Sequence, residues 1–146
     1  MIYLDTSAFI KLYFRESGTE TVHELVTGQD DPLPVWDLLE AELTNAFRLK
    51  VFWQELLPAE ADKLATLFRE RKQKGQYFVP ELDRVNLMES FHQLTHHTAD
   101  LGCRTVDIFH VACAQQLTAT TFASFDQRQR NLADRAGLNV FPKTLP

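Results

Sequence analysis

The sequence predicts an α/β fold with a parallel sheet, on the basis of three observations. Short apolar segments alternate along the chain with longer segments that carry apolar residues at helical spacing. Glycine and proline mark many of the boundaries between these segments. The length of 146 residues is typical of one domain with its own core. Because alternating strands and helices form parallel sheets covered on both faces, we expect a three-layer α/β/α sandwich and a single domain over residues 1–146.

Apolar spacing and chain-breaking residues predict the elements in order. The first strand is Ile2–Leu4 and runs directly into Asp5. The other predicted elements are helices over 7–14 and 19–27, a strand over 33–36, helices over 37–53 and 58–75, a helix from Pro80 to near Gly102, a helix over 105–117, a strand over 120–125, a helix over 127–136 and a strand over 138–141. We expect Asp37 and Glu40 to form a capping box, and Thr105 to cap the helix that it begins.

Composition and charge exclude several classes of protein. A hydrophobic content of 45% and a charged content of 24% are typical of a globular chain and argue against disorder. The apolar runs are too short to cross a bilayer and no secretory signal is visible, so we expect a cytoplasmic protein without a membrane span. The net charge of −5 argues against broad nonspecific binding of nucleic acid. Cys103 and Cys113 lack zinc-site spacing and are expected to be reduced core residues.

Two acidic residues stand at the carboxyl ends of predicted strands, where ligands bind in parallel α/β sheets. Asp5 ends the first strand, and Asp126 ends a strand more than a hundred residues later. If those strands are neighbours, their backbones lie about 4.8 Å apart. Two ionised carboxylates at roughly 5 Å repel by about 3 kcal/mol at an effective dielectric constant of 20. A bridging cation, or protonation of one acid, would relieve this repulsion.

Two further acidic residues are predicted to face inward from helices. Glu42 lies on the same helical face as Leu39 and Leu43, and an acid in an apolar stripe usually has a partner. Asn45 is one turn away and could orient Glu42 or a water molecule. Asp107 lies in the first turn of its helix, where stabilisation of the helix dipole is one sufficient explanation for an acid. It shares a side with Val111 and Ala114, so we expect it to face inward. Each acid taken singly could be structural, but four carboxylates brought together would form an oxygen-ligand site suited to Mg²⁺ or Mn²⁺.

Four segments that contain these acids resemble the motifs of the PIN domain, the metal-dependent nuclease fold that includes VapC-type toxins of bacterial toxin–antitoxin pairs. They are YLDTSAFIKLY with Asp5, LLEAELTNAF with Glu42, CRTVDIFHVACA with Asp107, and FASFDQRQRNLADRAGLNV with Asp126. The resemblance covers nearly the whole chain, with the segments in the right order. Residues 51–79 resemble the family least, and substrate recognition is expected to vary there.

The resemblance implies a fold, a reaction and partners. It implies four or five parallel strands, with the first strand beside the one that ends at Asp126. It implies an endoribonuclease that uses Mg²⁺ or Mn²⁺ to hydrolyse phosphodiester bonds in single-stranded or structured RNA, together with a homodimer and a VapB-like antitoxin. It makes Asp5 and Asp107 the leading metal ligands, while Glu42 and Asp126 bind a second ion or orient the attacking water. Supporting roles fall to Ser7, Asn45, Arg104, Thr105 and Ser124.

Several other residues have both a functional and a structural interpretation. Basic residues on the two helices nearest Asp5 and Glu42 are the candidates by position for RNA phosphate contact, and they are Lys11, Arg15, Arg48 and Lys50. The basic segment FRERKQKG is more typical of a solvated helix end. His110 could ligate a metal with Asp107, but a packed, hydrogen-bonded histidine is the commoner case. Trp36 and Trp53 could stack on bases, although core packing is favoured.

Other functions fit the sequence less well. A phosphatase of the haloacid-dehalogenase type, with Asp5 as nucleophile, would need a second aspartate where Ser7 stands. A receiver domain would use a late lysine, and Lys143 is present, but the acids occupy the wrong positions for it. The remaining alternative is a catalytically weak PIN-like module that only binds RNA or a protein.

Overall fold

The computed structural model describes all residues, Met1–Pro146, as a mixed α/β protein. The strands are β1 (Ile2–Leu4), β2 (Leu33–Pro34), β3 (Tyr77–Phe78), β4 (Thr121–Ala123) and β5 (Val140–Phe141). The α-helices are α1 (Thr6–Phe9), α2 (Thr19–Thr27), α3 (Asp37–Phe52), α4 (Pro58–Gln73), α5 (Arg84–Leu94), α6 (Thr98–Leu101), α7 (Thr105–Gln116) and α8 (Gln127–Arg135). None of the helices combines the length and the apolar character that a membrane span requires.

All strand pairs are parallel, which confirms the predicted α/β fold class. Hydrogen bonds join β1, β4 and β5 in that order into one sheet, and β2 and β3 into another. In the first sheet Leu4 is in register with Ala123, so β1 lies beside β4 as the resemblance implied. The carboxyl ends of these two strands therefore lie at the same edge, and Asp5 immediately follows β1.

The chain forms two compact units. The first comprises residues 1–8 and 81–146, and the second comprises residues 9–80. In the first unit the core lies against the three-stranded sheet, where the Tyr3 ring stacks on Phe122 with centroids 5.5 Å apart. In the second unit the core is aromatic: Phe9 and Tyr77 have centroids 5.1 Å apart, and the hydroxyls of Tyr13 and Tyr77 lie 2.6 Å apart.

The first predicted helix, over 7–14, is shorter and begins earlier than expected. Asp5 accepts a hydrogen bond from the Ala8 amide, so the helix begins at Thr6. The segment Ile10–Leu12 is a 3₁₀ turn, and the Tyr13 and Phe14 amides both donate to the Ile10 carbonyl. Tightening of the chain into a 3₁₀ turn is common at the end of a short helix.

The two predicted helix caps are wrong in detail. Asp37 is the first residue of α3 rather than its cap, and Glu40 forms an ion pair with Lys72 instead of closing a capping box. Arg104, not Thr105, precedes α7 as its N-cap residue. The Arg104 amide donates to the Asp107 carboxylate, and this bond takes the place of the cap that was expected from the Thr105 hydroxyl.

Two further segments differ from the prediction. β3 was not predicted, because a two-residue strand shows no alternation and only its pairing with β2 defines it. The long helix predicted after Pro80 is divided into α5, a 3₁₀ turn over Thr95–His97 and α6. It ends at Gly102, whose φ of +64° lies in the left-handed region that favours glycine.

Two buried lysines of the second unit surround one carboxylate. Lys11 donates to Glu16 Oε1 at 2.7 Å, and Lys50 donates to Glu16 Oε2 at 3.0 Å and to Glu55 at 2.7 Å. Partial burial raises the pKa of Glu16, but the hydrogen bonds from Lys11 and Lys50 outweigh it, so that the net pKa is lowered. Lys50 Nζ also lies 4.3 Å from the centre of the Phe14 ring. These contacts give both lysines a structural role, and their contact with RNA stays a prediction.

Replacing Lys50 with methionine, which keeps the aliphatic stem and removes the charge, is expected to lower the free energy of unfolding. The loss should be about 1–3 kcal/mol at pH 7, because partly buried carboxylates lose a charged donor. A carboxylate whose folded pKa is lowered contributes stability above its unfolded pKa and loses it as the pH falls through the folded value. The difference between variant and parent should therefore shrink below pH 4.5, the ordinary pKa of Glu16.

Urea denaturation at several pH values measures this difference. Lys63 is exposed on the neighbouring helix α4, so Lys63→Met is the matched control and should change stability by less than about 0.5 kcal/mol. A Lys50→Met loss that is equal at pH 7 and pH 3 would mean that packing, and not the ion pairs, supplies the stability.

Candidate active site

Asp5 is a fully buried carboxylate held at the end of β1. Its amide continues the β1–β4 ladder by donating to the Ala123 carbonyl at 3.0 Å. Its Oδ1 accepts hydrogen bonds from Ser7 Oγ at 2.7 Å and from the Ala8 amide at 2.9 Å. Its Oδ2 accepts from Ser124 Oγ at 2.6 Å. Both carboxylate oxygens are therefore fixed by donors from within the same unit.

The two serines that hold Asp5 also connect the ends of β1 and β4. Ser7 Oγ accepts a hydrogen bond from the Phe125 amide at 2.8 Å, and Ser124 Oγ accepts one from the Asp126 amide at 3.0 Å. Each hydroxyl donates to Asp5 and accepts from the backbone that follows β4, so its orientation is defined. The segment that carries Asp126 is thus joined to Asp5 through both serines, and the Asp126 amide itself through Ser124.

The surroundings of Asp5 shift its pKa upward. Burial raises the pKa of the Asp5 carboxyl above its ordinary value of 3.8, and the nearby His110 charge and the bonds from Ser124, Ser7 and Ala8 offset this only in part. His110 is itself buried, and its Nδ1 lies 2.7 Å from the Tyr3 hydroxyl. A packed, hydrogen-bonded histidine is the arrangement that the sequence favoured. An additional cation near Asp5 would stabilise its ionised form.

Asp107 and Asp126 both lie at helix starts: Asp107 is in the first turn of α7, and Asp126 is the N-cap of α8. The Asp107 side chain is 2% exposed, and its Oδ2 accepts a hydrogen bond from the Arg104 amide at 2.8 Å. Asp126 is the N-cap of α8, and its Oδ1 accepts from the Arg128 and Gln129 amides at 2.8 and 3.2 Å. Each acid thus has a structural role as a cap in addition to any role in catalysis.

Arg104 joins these two acids through its guanidinium group. Its Nη2 donates to Asp126 Oδ2 at 3.2 Å, and its Nε lies 3.6 Å from Asp107 Oδ2. The pair of carboxylates is therefore already neutralised in part by a cation of the chain itself. Asp5, Asp107 and Asp126 belong to one network that runs from Asp5 through Ser124 to the Asp126 backbone, and from the Asp126 side chain through Arg104 to Asp107.

The other predicted site residues lie on α3, on α7 and in the second unit. Glu42 is half-buried on α3 of the second unit, and Asn45 is exposed on the same helix. Their approach to Asp5 stays a prediction. Thr105 is the exposed first residue of α7. Arg15 and Arg48, two of the candidates for RNA contact, form exposed ion pairs with Glu20 and Asp62.

No three side chains of the His, Cys, Asp and Glu types lie close enough together to form a ready-made metal cluster. The donors of the network are nevertheless carboxylate oxygens, which are the ligands that Mg²⁺ and Mn²⁺ prefer. The guanidinium of Arg104, a positive charge of the chain itself, lies against two of them. The chemistry of these residues therefore fits a divalent ion.

A match to a protein-family model shows which family this chain belongs to. The PIN domain model matches residues 2–135, which include all four predicted acids. The chain belongs to the PIN domain family. PIN domains are generally nucleases and generally depend on divalent metal ions. A comparison with curated protein sequences gives no significant match.

Solved structures share the fold of this PIN domain at low sequence identity. VapC20 from Mycobacterium tuberculosis, described as a sarcin–ricin loop cleaving toxin, is 14% identical and covers 100% of both chains, with a TM-score of 0.69. FitAcB from Neisseria gonorrhoeae is 21% identical over 97% of this chain and 96% of its own, with a TM-score of 0.64. FitAB bound to an IR36 DNA fragment is 21% identical over 97% and 94%, with a TM-score of 0.62.

One feature of the PIN domain's network was missed by the reasoning from sequence. Arg104 was predicted to have a supporting role in the motif around Asp107, but its contact with Asp126 was not foreseen. The spacing of Arg104 and Asp107, three residues apart at a helix start, could have indicated their pairing. The contact with Asp126, 22 residues further on, depends on tertiary structure and has no local signal.

Proposed function

We propose that this PIN domain is a divalent-metal-dependent endoribonuclease that hydrolyses phosphodiester bonds in RNA. The observation that carries the proposal is the network of Asp5, Asp107 and Asp126 at the carboxyl ends of β1 and β4 and the start of α7, in a chain that belongs to a family of nucleases. Buried and capped carboxylates at the edge of a parallel sheet lie where this architecture binds ligands. Glu42 completes the acidic set in this proposal.

In this proposal the acids have different roles, according to how deeply each is buried. Asp5 and Asp107, the most deeply buried, would hold Mg²⁺ or Mn²⁺, and Asp126 and Glu42 would hold a second ion or orient the attacking water. When bound, the ion would polarise a phosphoryl oxygen and lower the pKa of a water molecule. Ser7 and Ser124 keep the Asp5 carboxylate in one orientation, so that little rearrangement of the ligand is needed on binding.

The biological setting belongs to the same proposal. The likeness in fold to VapC20, a toxin that cleaves the sarcin–ricin loop, supports a role as the toxin of a VapBC-type pair. A VapB-like antitoxin would then be the protein partner, RNA the substrate, a homodimer the assembly and the cytoplasm the location. The second candidate function, a catalytically weak module that binds RNA or a protein, retains the fold without the reaction.

Metal removal tests the reaction directly. Purified protein is expected to cut a single-stranded RNA when Mn²⁺ or Mg²⁺ is present, to stop when EDTA is added in excess, and to resume when Mn²⁺ is restored above the chelator. Denaturing gel electrophoresis of an end-labelled RNA follows the products. Cleavage that continues in EDTA would contradict the proposal, and RNA retention without cleavage in Mn²⁺ would favour the binding module.

A further inference from the structure

Arg104 contacts the acidic network in two separable ways, through its backbone and through its side chain. Its backbone amide donates to Asp107 and caps α7, whereas its guanidinium lies against Asp107 and Asp126. The side chain is 59% exposed, and the carboxylates that it contacts are 2% and 25% exposed. The guanidinium can therefore leave the acids without loss of the helix cap, because the capping bond runs from the Arg104 backbone amide to Asp107 Oδ2 and does not involve the guanidinium.

The guanidinium and a divalent ion would use the same oxygen atoms. Both contacts of the Arg104 side chain are to Oδ2 atoms, one on Asp107 and one on Asp126. Arginine is always protonated, so this contact places one positive charge against two carboxylates that the proposed function assigns to metal. An ion with two positive charges competes for these oxygens. The guanidinium itself is exposed and lies 3.2 and 3.6 Å from them, so it can be displaced into solvent.

We propose that Arg104 is a substrate-positioning residue that exchanges partners, an inference that rests on the proposed function. Without metal it neutralises Asp107 and Asp126, and when a divalent ion takes these acids its guanidinium is released and binds a phosphate of the RNA. The exchange keeps a cation at the acids when they are empty. It supplies a phosphate ligand beside the reacting bond only when the ion is present.

The charge and hydrogen-bonding chemistry of the chain favours Arg104 for this role. The chain has a net charge of −5, so an RNA phosphate must find its positive contacts locally. Lys11 and Lys50 are buried in ion pairs with Glu16. The planar guanidinium of Arg104 offers paired N–H donors that match the geometry of phosphate oxygens.

Arg104→Gln, Arg104→Lys and Arg135→Gln together test the exchange. Arg135 is the matched control, since it is an exposed arginine that pairs with Asp100 at 3.9 Å and lies nine residues beyond Asp126 on α8, about 13 Å along the helix. Isothermal titration calorimetry without RNA measures the Kd for Mn²⁺. Steady-state kinetics on a fluorogenic single-stranded RNA at saturating Mn²⁺ measure KM and kcat, and thermal melting checks the fold.

The exchange predicts opposite effects on metal and on RNA. Arg104→Gln should bind Mn²⁺ about fivefold more tightly, the scale of one ion pair made by an exposed guanidinium. Its KM for RNA should rise about tenfold, the scale of one lost charge-assisted contact. Arg104→Lys should retain the parent affinity for Mn²⁺ and an intermediate KM, because it keeps the charge and loses the paired donors. Arg135→Gln should match the parent in both.

The outcomes that overturn the inference are distinct from failure of the proposed function. If the parent binds Mn²⁺ and cuts RNA, and Arg104→Gln binds Mn²⁺ no more tightly or has an unchanged KM, the exchange is wrong and the nuclease assignment stands. If Arg104→Gln weakens both Mn²⁺ and RNA binding, Arg104 acts only structurally and the exchange is again wrong. If the parent itself binds no Mn²⁺, the proposed function fails, and the inference fails with it.

Discussion

Asp107→Asn is expected to abolish metal-dependent cleavage of RNA while the chain remains folded. The amide keeps the size of the side chain and can still accept the Arg104 amide hydrogen bond, so α7 should retain its cap. What it lacks is the negative charge that would hold the divalent ion. The loss of several kcal/mol of transition-state stabilisation corresponds to a fall in kcat/KM of at least about 10³-fold, since each 1.36 kcal/mol is a factor of ten.

Asp134→Asn is the matched control for this experiment. Asp134 is exposed on α8 of the same unit, and its replacement makes the same chemical change away from the network. The control should cut RNA at the rate of the parent under identical Mn²⁺ and RNA concentrations. Should purified Asp107→Asn cut as fast as the parent, a contaminating nuclease would account for the activity and the assignment of the site would be wrong.

Mn²⁺ is expected to stabilise the parent strongly and Asp5→Asn hardly at all. A ligand that binds only the folded state at 100 times its Kd adds about 2.7 kcal/mol, which for a chain of this size raises Tm by roughly 8 °C. Without metal, Asp5→Asn should melt at the same temperature as the parent or higher, because it removes a buried charge that burial disfavours. Thermal melting with millimolar Mn²⁺ and with EDTA measures both differences.

The pH dependence of the Asp5→Asn effect follows from the direction of the pKa shift. Burial raises the folded pKa of Asp5, so the unfolded chain ionises at lower pH than the folded one. The parent therefore loses stability as the pH rises from the unfolded pKa to the folded pKa, and stays at the lower level above it. Since asparagine does not titrate, the advantage of Asp5→Asn in EDTA should grow across that window and then remain constant.

Two results would contradict this account of Asp5. The absence of any Mn²⁺-dependent rise in Tm for the parent at millimolar concentration would argue against a metal site. An equal rise for parent and Asp5→Asn would place the ion elsewhere. Asp134→Asn, as the control, should show the Mn²⁺ response of the parent, because its carboxylate is exposed and lies outside the network.

Features that depend on neighbours in sequence were predictable. The apolar run of Ile2–Leu4, the helical spacing of α3 and the Pro58 start of α4 are local signals, and all three elements are present. A two-residue strand such as β3 was missed because its hydrogen bonds go to β2, more than forty residues away. The caps of α3 and α7 were misassigned since several polar residues near each helix start could bond the same amides.

In the candidate site, too, some features were predictable from local sequence and others depended on distant residues. The residue types could be predicted from the chain alone: acids at strand ends and helix starts, in four motifs that resemble one family. Which groups contact each other became known only from the folded chain: Ser124 bonds Asp5, 119 residues away, and Arg104 bonds Asp126, 22 residues away. Carboxylates, hydroxyls and guanidinium groups form hydrogen bonds through space over about 3 Å. Their partners are therefore set by strand register and helix packing, for which no local pattern in the chain is sufficient.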